Sequence, residues 1–308
     1  MSNWNFADLY EGIASRIPDH PCQIQGDRII TWGQFDARTN ALAADMLAAG
    51  LTHQSKVAEY LYNCPEYLET YIAAFKGGFV PANTNYRYGP EEVTYLFDNS
   101  DAEAVVFHAV FVPLVESIRG NLPKVKRWYC VADGMNAVPS WAQDYEAVVS
   151  KGIKESVRGP WVRSEEDLMF LYTGGTTGMP KGVMWRHEDV ILGAMNSARA
   201  NRPIERIEQL GEEAAASGFR ARLMSIGPMM HGGGQWIMGN AITAGGCFVL
   251  YTKKRFDAHD VWQLVADGVV TSVSTIGDAM ARPLAEHLVA EPRPTYDLSM
   301  LFAIGNGG

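Results

Sequence analysis

Leu168-Met169-Phe170-Leu171-Tyr172-Thr173-Gly174-Gly175-Thr176-Thr177-Gly178-Met179-Pro180-Lys181-Gly182-Val183-Met184-Trp185 is the stretch on which the reading of this chain turns. Leu168 to Tyr172 is an unbroken apolar run of strand length. Gly174, Gly175, Gly178 and Gly182 follow, so backbone N–H groups lie uncovered and left-handed conformations are accessible. Successive N–H groups in such a loop form an anion-binding nest. Hydroxyls of Thr173, Thr176 and Thr177 add donors, and Lys181 adds a full positive charge. A polyphosphate needs this combination. The bland alternative, a Gly/Thr-rich surface turn, rarely gathers so many donors around a lysine. The spacing is not that of a Walker A loop, in which Gly-Lys-Ser/Thr runs straight into a helix. Here Met179-Pro180 precedes Lys181, and Pro180 has no N–H to offer. Val183-Met184-Trp185 reads as another strand. The stretch therefore predicts two strands joined by a phosphate-holding flap, with a helix starting near His187-Glu188.

Outward from this loop, strands and helices alternate. Phe6, Leu9, Tyr10 and Ile13 share one helical face. Cys22–Gln25 and Arg28–Thr31 flank Gly26-Asp27 as a hairpin. Thr31 and Gln34 form a capping box for a helix that buries Phe35, Leu42, Met46 and Leu47. Strands are expected at Val57–Tyr62, Ala104–Phe107 and Arg127–Val131. Helices are expected from Pro65 to Lys76, Pro90 to Phe97, Val112 to Ile118 and Ser140 to Val148. After a charged connector, Lys151–Glu166, strands are expected at Leu223–Ile226, Cys247–Tyr251, Val270–Ser274 and Leu301–Ile304. Helices are expected at Glu188–Ala200, Trp236–Ala244, Ala258–Ala266 and Asp278–Val289. Arg202–Arg220 reads as a polar insertion. The fold class is α/β, with layered sheets flanked by helices, divided into a first lobe over 1–165 and a second over 166–308.

The 308 residues carry 26 Lys and Arg against 35 Asp and Glu, a formal net charge of −9. An acidic chain of this kind is a poor general binder of nucleic acid. Any anionic ligand must be held by local features. Cys22, Cys64, Cys130 and Cys247 are far apart and are expected to be reduced, buried thiols rather than a metal knuckle. His20, His53, His108, His259 and His287 show no metal-ligand spacing, and GxSxG is absent. The longest apolar stretch, Ala104–Val115, is shorter than the about 20 residues that span a bilayer. A cytoplasmic protein is expected.

With its flanking motifs, the loop resembles the signature of the adenylate-forming superfamily, and most of all its bacterial fatty acyl-CoA and steroid-side-chain CoA ligases. The resemblance also includes Asn83-Thr84-Asn85-Tyr86-Arg87, Pro228-Met229-Met230-His231, Arg255-Phe256-Asp257 and Gly305-Asn306-Gly307-Gly308. It implies the large N-terminal domain of such an enzyme. It implies ATP, Mg²⁺ and coenzyme A as cofactors and a small-molecule carboxylic acid as substrate, activated to an acyl-adenylate and then passed to a thiol. Carried over, Thr173, Gly174, Gly175, Thr176, Thr177, Gly178 and Lys181 would grip the β- and γ-phosphates. Many relatives have serine where Gly174 stands. His231 would lie between acyl pocket and adenylate, able to orient the carboxylate as a neutral imidazole. Met229, Met230, Trp236 and Met238 fit a pliable apolar pocket or plain core. Arg255 would contact coenzyme A, and Gly307 and Gly308 would open the adenine-binding segment.

The family's next segments are an aromatic-Gly-x-Thr-Glu run, a ribose-binding aspartate and a small domain with the adenylation lysine; none occurs here. The resemblance thus implies part of a ligase, inactive by itself. Three readings stay open: part of a CoA ligase, an inactive nucleotide- or acyl-binding or interaction module, and an enzyme that hands its acyl group to a carrier protein. A homo-oligomer is also expected, through an uncovered strand near Leu301–Ile304.

Overall fold

The computed structural model describes residues 4–174, 178–194, 203–290 and 296–307. In chain order the described strands are β1 (Pro21–Gln25), β2 (Arg28–Thr31), β3 (Lys56–Tyr60), β4 (Val80–Asn83), β5 (Ala102–His108), β6 (Arg127–Val131) and β7 (Gln143–Asp144). They continue as β8 (Leu168–Thr173), β9 (Lys181–Arg186), β10 (Arg222–Ser225), β11 (Cys247–Leu250), β12 (Ser272–Ile276) and β13 (Ala303–Gly307). One sheet runs β7-β6-β5-β3-β4-β8-β9 and the other β13-β12-β10-β11-β1-β2. The hairpins β1–β2 and β8–β9 pair antiparallel, and the other described pairings are parallel. Parallel neighbours need a crossover, so helices Pro65–Gly77 and Pro90–Asn99 punctuate β3, β4 and β5.

The division at 165/166 does not follow the sheets. β8 joins the first sheet through Ala82 opposite Phe170, whereas β1 joins the second through Gln23 opposite Phe248. The reason is burial. One continuous core takes in Phe6, Trp32, Val57, Phe75, Met169, Phe248 and Leu250, from both halves of the chain. Neighbouring β3 residues take opposite sides: Val57 faces this core, while Ala58 and Tyr60 face a separate cluster under Pro90–Asn99.

Local signals account for most of the elements. The Thr31–Gln34 capping box is formed in both directions, at 3.3 and 3.0 Å. Gly78, at φ 72°, ends the Pro65–Gly77 helix in a left-handed turn. Asp257 caps Ala258–Asp267 by accepting from Asp260 N–H at 3.0 Å. All four cysteines are free and buried. No helix among the described residues is long and apolar enough to cross a membrane.

Three expectations need correction. The described part of Arg202–Arg220, residues 203–220, is more than a polar insertion. It holds the helix Glu208–Ala216, which buries Leu210, Gly211 and Ala214, and the turn before the helix buries Ile204 and Ile207. Contact with the first helix, Phe6–Ala14, is so close that a Cβ on Gly211 would meet the Gly12 carbonyl at 2.7 Å. Ser140–Val148 is not one helix. Gln143 and Asp144 pair with β6 first, and the helix is only Tyr145–Val149, capped by Asp144. In place of a regular Glu188–Ala200 helix there is a short turn, His187–Asp189, followed by a wider π-helical turn, Val190–Ala194. The remainder lies outside the described residues.

Candidate functional site

The carboxyl ends of β3, β4, β8, β10 and β11 carry the segments that build one region. Open α/β sheets bind ligands just beyond the carboxyl ends of their parallel strands. β8 and β9 form the expected hairpin, with Thr173 opposite Lys181 and Tyr172 opposite Gly182. Thr173, Gly174, Gly178 and Lys181 are exposed where the loop crosses its end. Gly178 has φ 133°, a conformation that side-chain-bearing residues rarely adopt. The Tyr172 ring lies across Gly182, where a Cβ would be 2.9 Å from it. Gly175, Thr176 and Thr177 lie outside the described residues, as does Gly308.

Beneath the hairpin sits a residue that the sequence reading quoted but gave no role. Asn83, 1% exposed, ends β4 just where pairing with β8 stops. Its Oδ1 accepts from Tyr172 N–H at 2.7 Å, and its Nδ2 donates to Tyr172 C=O at 2.9 Å. The same Nδ2 donates to Met230 C=O at 2.6 Å. One side chain therefore continues the β4–β8 ladder and ties it to the residue before His231. Asn63 makes a second tie. Its Oδ1 accepts from Met229 N–H at 2.8 Å, and its Nδ2 donates to Tyr251 C=O at 3.0 Å. The available signal was a polar residue closing the otherwise apolar buried strand Val80-Pro81-Ala82-Asn83.

His231 is the N-cap of the helix Gly232–Thr243, exposed as a residue but with its imidazole partly sunk. The helix packs tightly at its start: a Cβ on Gly234 would fall 2.5 Å from Pro228 O, and one on Gly232 would fall 3.0 Å from Leu171. Partial burial, with the Arg87 charge second, holds the His231 imidazole below its ordinary value. The ring is neutral at pH 7 and can accept or donate a hydrogen bond without adding charge.

Beside this turn is a cleft of about 140 Å³ lined by Tyr62, Tyr86, Arg87, Lys253, Lys254 and Phe256, among others. Lys254 Nζ stands 4.7 Å over the Tyr62 ring, and the Tyr62 and Tyr86 rings are 4.6 Å apart. Cations and aromatic faces in one cleft suit an anion carrying a flat ring. Arg255, expected to make such a contact, is exposed next to the cleft, and its carbonyl accepts the Tyr251 hydroxyl at 2.9 Å. Gly307 lies opposite Ile276 on the outer strand β13.

A separate small chamber of about 20 Å³ lies between the helices Pro65–Gly77 and Gly232–Thr243. Its walls include Phe6, Tyr71, Met169, Trp236 and Met238. Trp236 and Met238 thus line a cavity inside the same core that buries Met229 and Met238. Trp236 also packs edge-on against Trp185 of β9, with centroids 6.0 Å apart. No group of three His, Cys, Asp or Glu side chains able to hold a metal occurs among the described residues. The residues described here therefore do not fit an all-protein Mg²⁺ site.

Comparison with known proteins bears on this arrangement. The family model described as AMP-binding enzyme matches residues 11–308. The medium-chain acyl-CoA ligase Mig of Mycobacterium avium is 36% identical over 316 residues, covering 97% of this chain and 56% of that protein. The 3-oxocholest-4-en-26-oate–CoA ligase of Rhodococcus rhodochrous is 36% identical over 309 residues, covering 98% of this chain and 55% of that protein. Among solved structures, the anthranilate CoA ligase AuaEII in complex with anthranoyl-AMP superposes with a TM-score of 0.81 at 20% identity, covering 99% of this chain and 55% of that one. The chain thus spans about half the length of the curated relatives it matches.

Proposed function

The chain belongs to the AMP-binding enzyme family, and from that premise we propose that it supplies the triphosphate hairpin and carboxylate-orienting turn of an ATP-dependent acid–thiol ligase. In the proposed reaction a carboxylate oxygen attacks the α-phosphorus of ATP, giving acyl-adenylate and pyrophosphate. The thiolate of coenzyme A then attacks the acyl carbon and releases AMP. Lys181 and the loop N–H groups of 173–178 neutralise the β- and γ-phosphates. His231, set by its backbone at the N-cap of the helix Gly232–Thr243 and favoured in its neutral form, orients the carboxylate. Arg87, Lys253 and Lys254, with neighbouring Arg255, hold the anionic nucleotide of coenzyme A, and Gly307 and Gly308 begin the adenine contacts. A fatty or steroid-side-chain acid is the substrate we assign, because the similar proteins are named for medium-chain and 3-oxocholest-4-en-26-oate acids, and we assign the protein to the cytoplasm. The apolar chamber of about 20 Å³ has room only for a water-sized group. The observation that carries the reading is Asn83, which joins the hairpin strand to the His231 turn through three buried hydrogen bonds.

Relatives are nearly twice as long, so we assign this chain part of the site and expect negligible thioester formation from it alone. The test is to give the purified chain ATP, Mg²⁺, coenzyme A and carboxylic acids of several lengths. Lys181-dependent ATP binding and His231-dependent acid binding without turnover support the proposal. Turnover at a full ligase's rate would show that the residues assigned here suffice, and the partial-site reading would fall. Absence of both kinds of binding would leave the interaction-module alternative. Phe302, just before the edge strand β13, and Ile304, within it, are 69% and 53% exposed, so concentration-dependent self-association is expected in light scattering.

A further inference from the structure

Far along the second sheet, the fold gathers three side chains whose sequence spacing gives no hint of a site. His259 lies in the first turn of Ala258–Asp267 and His287 in the last turn of Asp278–Ala290. Both helices are held firmly. The indole N–H of buried Trp262 donates to Leu284 C=O at 3.0 Å, and Asp257 caps the first helix. Tyr296 is buried beneath the two imidazoles. Its hydroxyl oxygen lies 2.6 Å from His259 Nδ1 and 2.8 Å from His287 Nε2. The imidazole centroids are 6.0 Å apart. Two ring nitrogens and one phenol oxygen thus converge on one point, and His259 is exposed to solvent there.

A hydroxyl has one proton. When both imidazoles are neutral, Tyr296 donates to one nitrogen and the other ring must turn its own N–H toward the tyrosine oxygen. We propose that His259, His287 and Tyr296 form a binding site for one divalent transition-metal ion of the zinc, nickel or copper type. Imidazole nitrogen with a phenolate suits these ions, whereas Mg²⁺ and Ca²⁺ prefer all-oxygen sets. Zinc–nitrogen bonds of about 2.0–2.1 Å require the three donors to move apart by roughly half an ångström from their hydrogen-bonded separation. Side-chain rotation at helix ends provides that. Asp260 and Glu286, next in sequence to the two histidines, add negative potential. Binding the ion converts the Tyr296 O–H to phenolate, so one proton leaves to solvent. The ring that had presented its N–H moves that proton to its distal nitrogen, with no net change. The ion then cross-links the two helices to the segment that carries β13.

The experiment uses the untagged chain, stripped with EDTA and titrated with zinc or nickel chloride by calorimetry in two buffers of different ionisation enthalpy. One equivalent is expected, with release of one proton and a rise in melting temperature. His259→Ala and His287→Ala should each weaken binding by more than the roughly 10–100-fold lost when a mere supporting group is removed. Tyr296→Phe should weaken it and abolish proton release. His20→Ala, on an exposed side chain elsewhere, should change nothing. Protection of both histidines from diethyl pyrocarbonate by zinc gives the same answer without a substitution. No saturable binding, binding that survives loss of either histidine, or equal binding of Mg²⁺ overturns the proposal.

Discussion

Replacing Asn83 by Ala is expected to be among the costlier single polar substitutions in the molecule. Three buried hydrogen bonds are lost, two to Tyr172 and one to Met230. Each is worth about 0.5–1.5 kcal/mol net, and a buried partner left unsatisfied adds to that. The sum is about 3–5 kcal/mol, a large part of a typical stability of about 5–15 kcal/mol. At roughly 2 °C per kcal/mol for a chain of this size, melting should fall by about 6–10 °C. Asn83→Asp keeps the bond from Tyr172 N–H but sets a carboxylate against two carbonyls, so it should be no milder. The control is Asn85→Ala: Asn85 is half-buried and accepts from Arg87 N–H at 2.9 Å, and its loss should cost about 1 kcal/mol. The assay is thermal and urea melting of all three variants, with amide exchange at Tyr172. Asn83→Ala no worse than Asn85→Ala would refute the idea that one amide holds hairpin and turn together.

His187 is buried between the Phe6 and Phe75 rings, and burial lowers its pKa to about 3. Between the unfolded value of about 6.5 and 3 the unfolded chain therefore binds a proton that the folded chain refuses. This stabilisation is complete above about pH 6.5 and shrinks by about 1.4 kcal/mol per unit as pH falls. Urea melts at pH 7.5 and 5.0 should show the gap between parent and His187→Gln narrowing by about 2 kcal/mol; an unchanged gap contradicts a neutral buried ring. Gly174→Ser should fold normally, because the new Cβ meets only the Tyr88 hydroxyl, at 3.8 Å, and should tighten triphosphate binding several-fold through one added donor of about 1 kcal/mol. Weaker binding would place the loop's anion elsewhere. Gly211→Val should cost about 1–3 kcal/mol by overpacking against the first helix, and a neutral melt would show that Glu208–Ala216 is not docked there.

Elements with local causes were legible in the sequence. Thr31 and Gln34 fix a helix start by themselves, and the glycines and Pro180 mark the strand–loop–strand hairpin. The arrangement of the sheets was not. Whether β8 pairs beside β4 or beside β10 depends on which apolar faces meet, and both strands read as buried runs. The Glu208–Ala216 helix was hidden because it buries only Leu210, Gly211 and Ala214, among four glutamates and glutamines of its own and behind the charged turn that carries Ile204 and Ile207. At the site, Lys181 and His231 stood out because charge and glycine surround them in sequence. Asn63 and Asn83 did not, because their partners lie 89 to 188 residues away. His259, His287 and Tyr296 meet only once two helices have packed.

If the proposed role of Lys181 is right, the 173–181 hairpin grips the outer phosphates of ATP through it. Phosphorus NMR of Mg²⁺–ATP titrated with this chain tests that role most directly, with Lys181→Ala alongside. The β- and γ-phosphorus resonances should move more than the α. Lys181→Ala should weaken binding by about 10–150-fold, equivalent to about 1.5–3 kcal/mol for a charged hydrogen bond. Equal shifts for parent and variant, or a response confined to the α-phosphorus, would contradict that role.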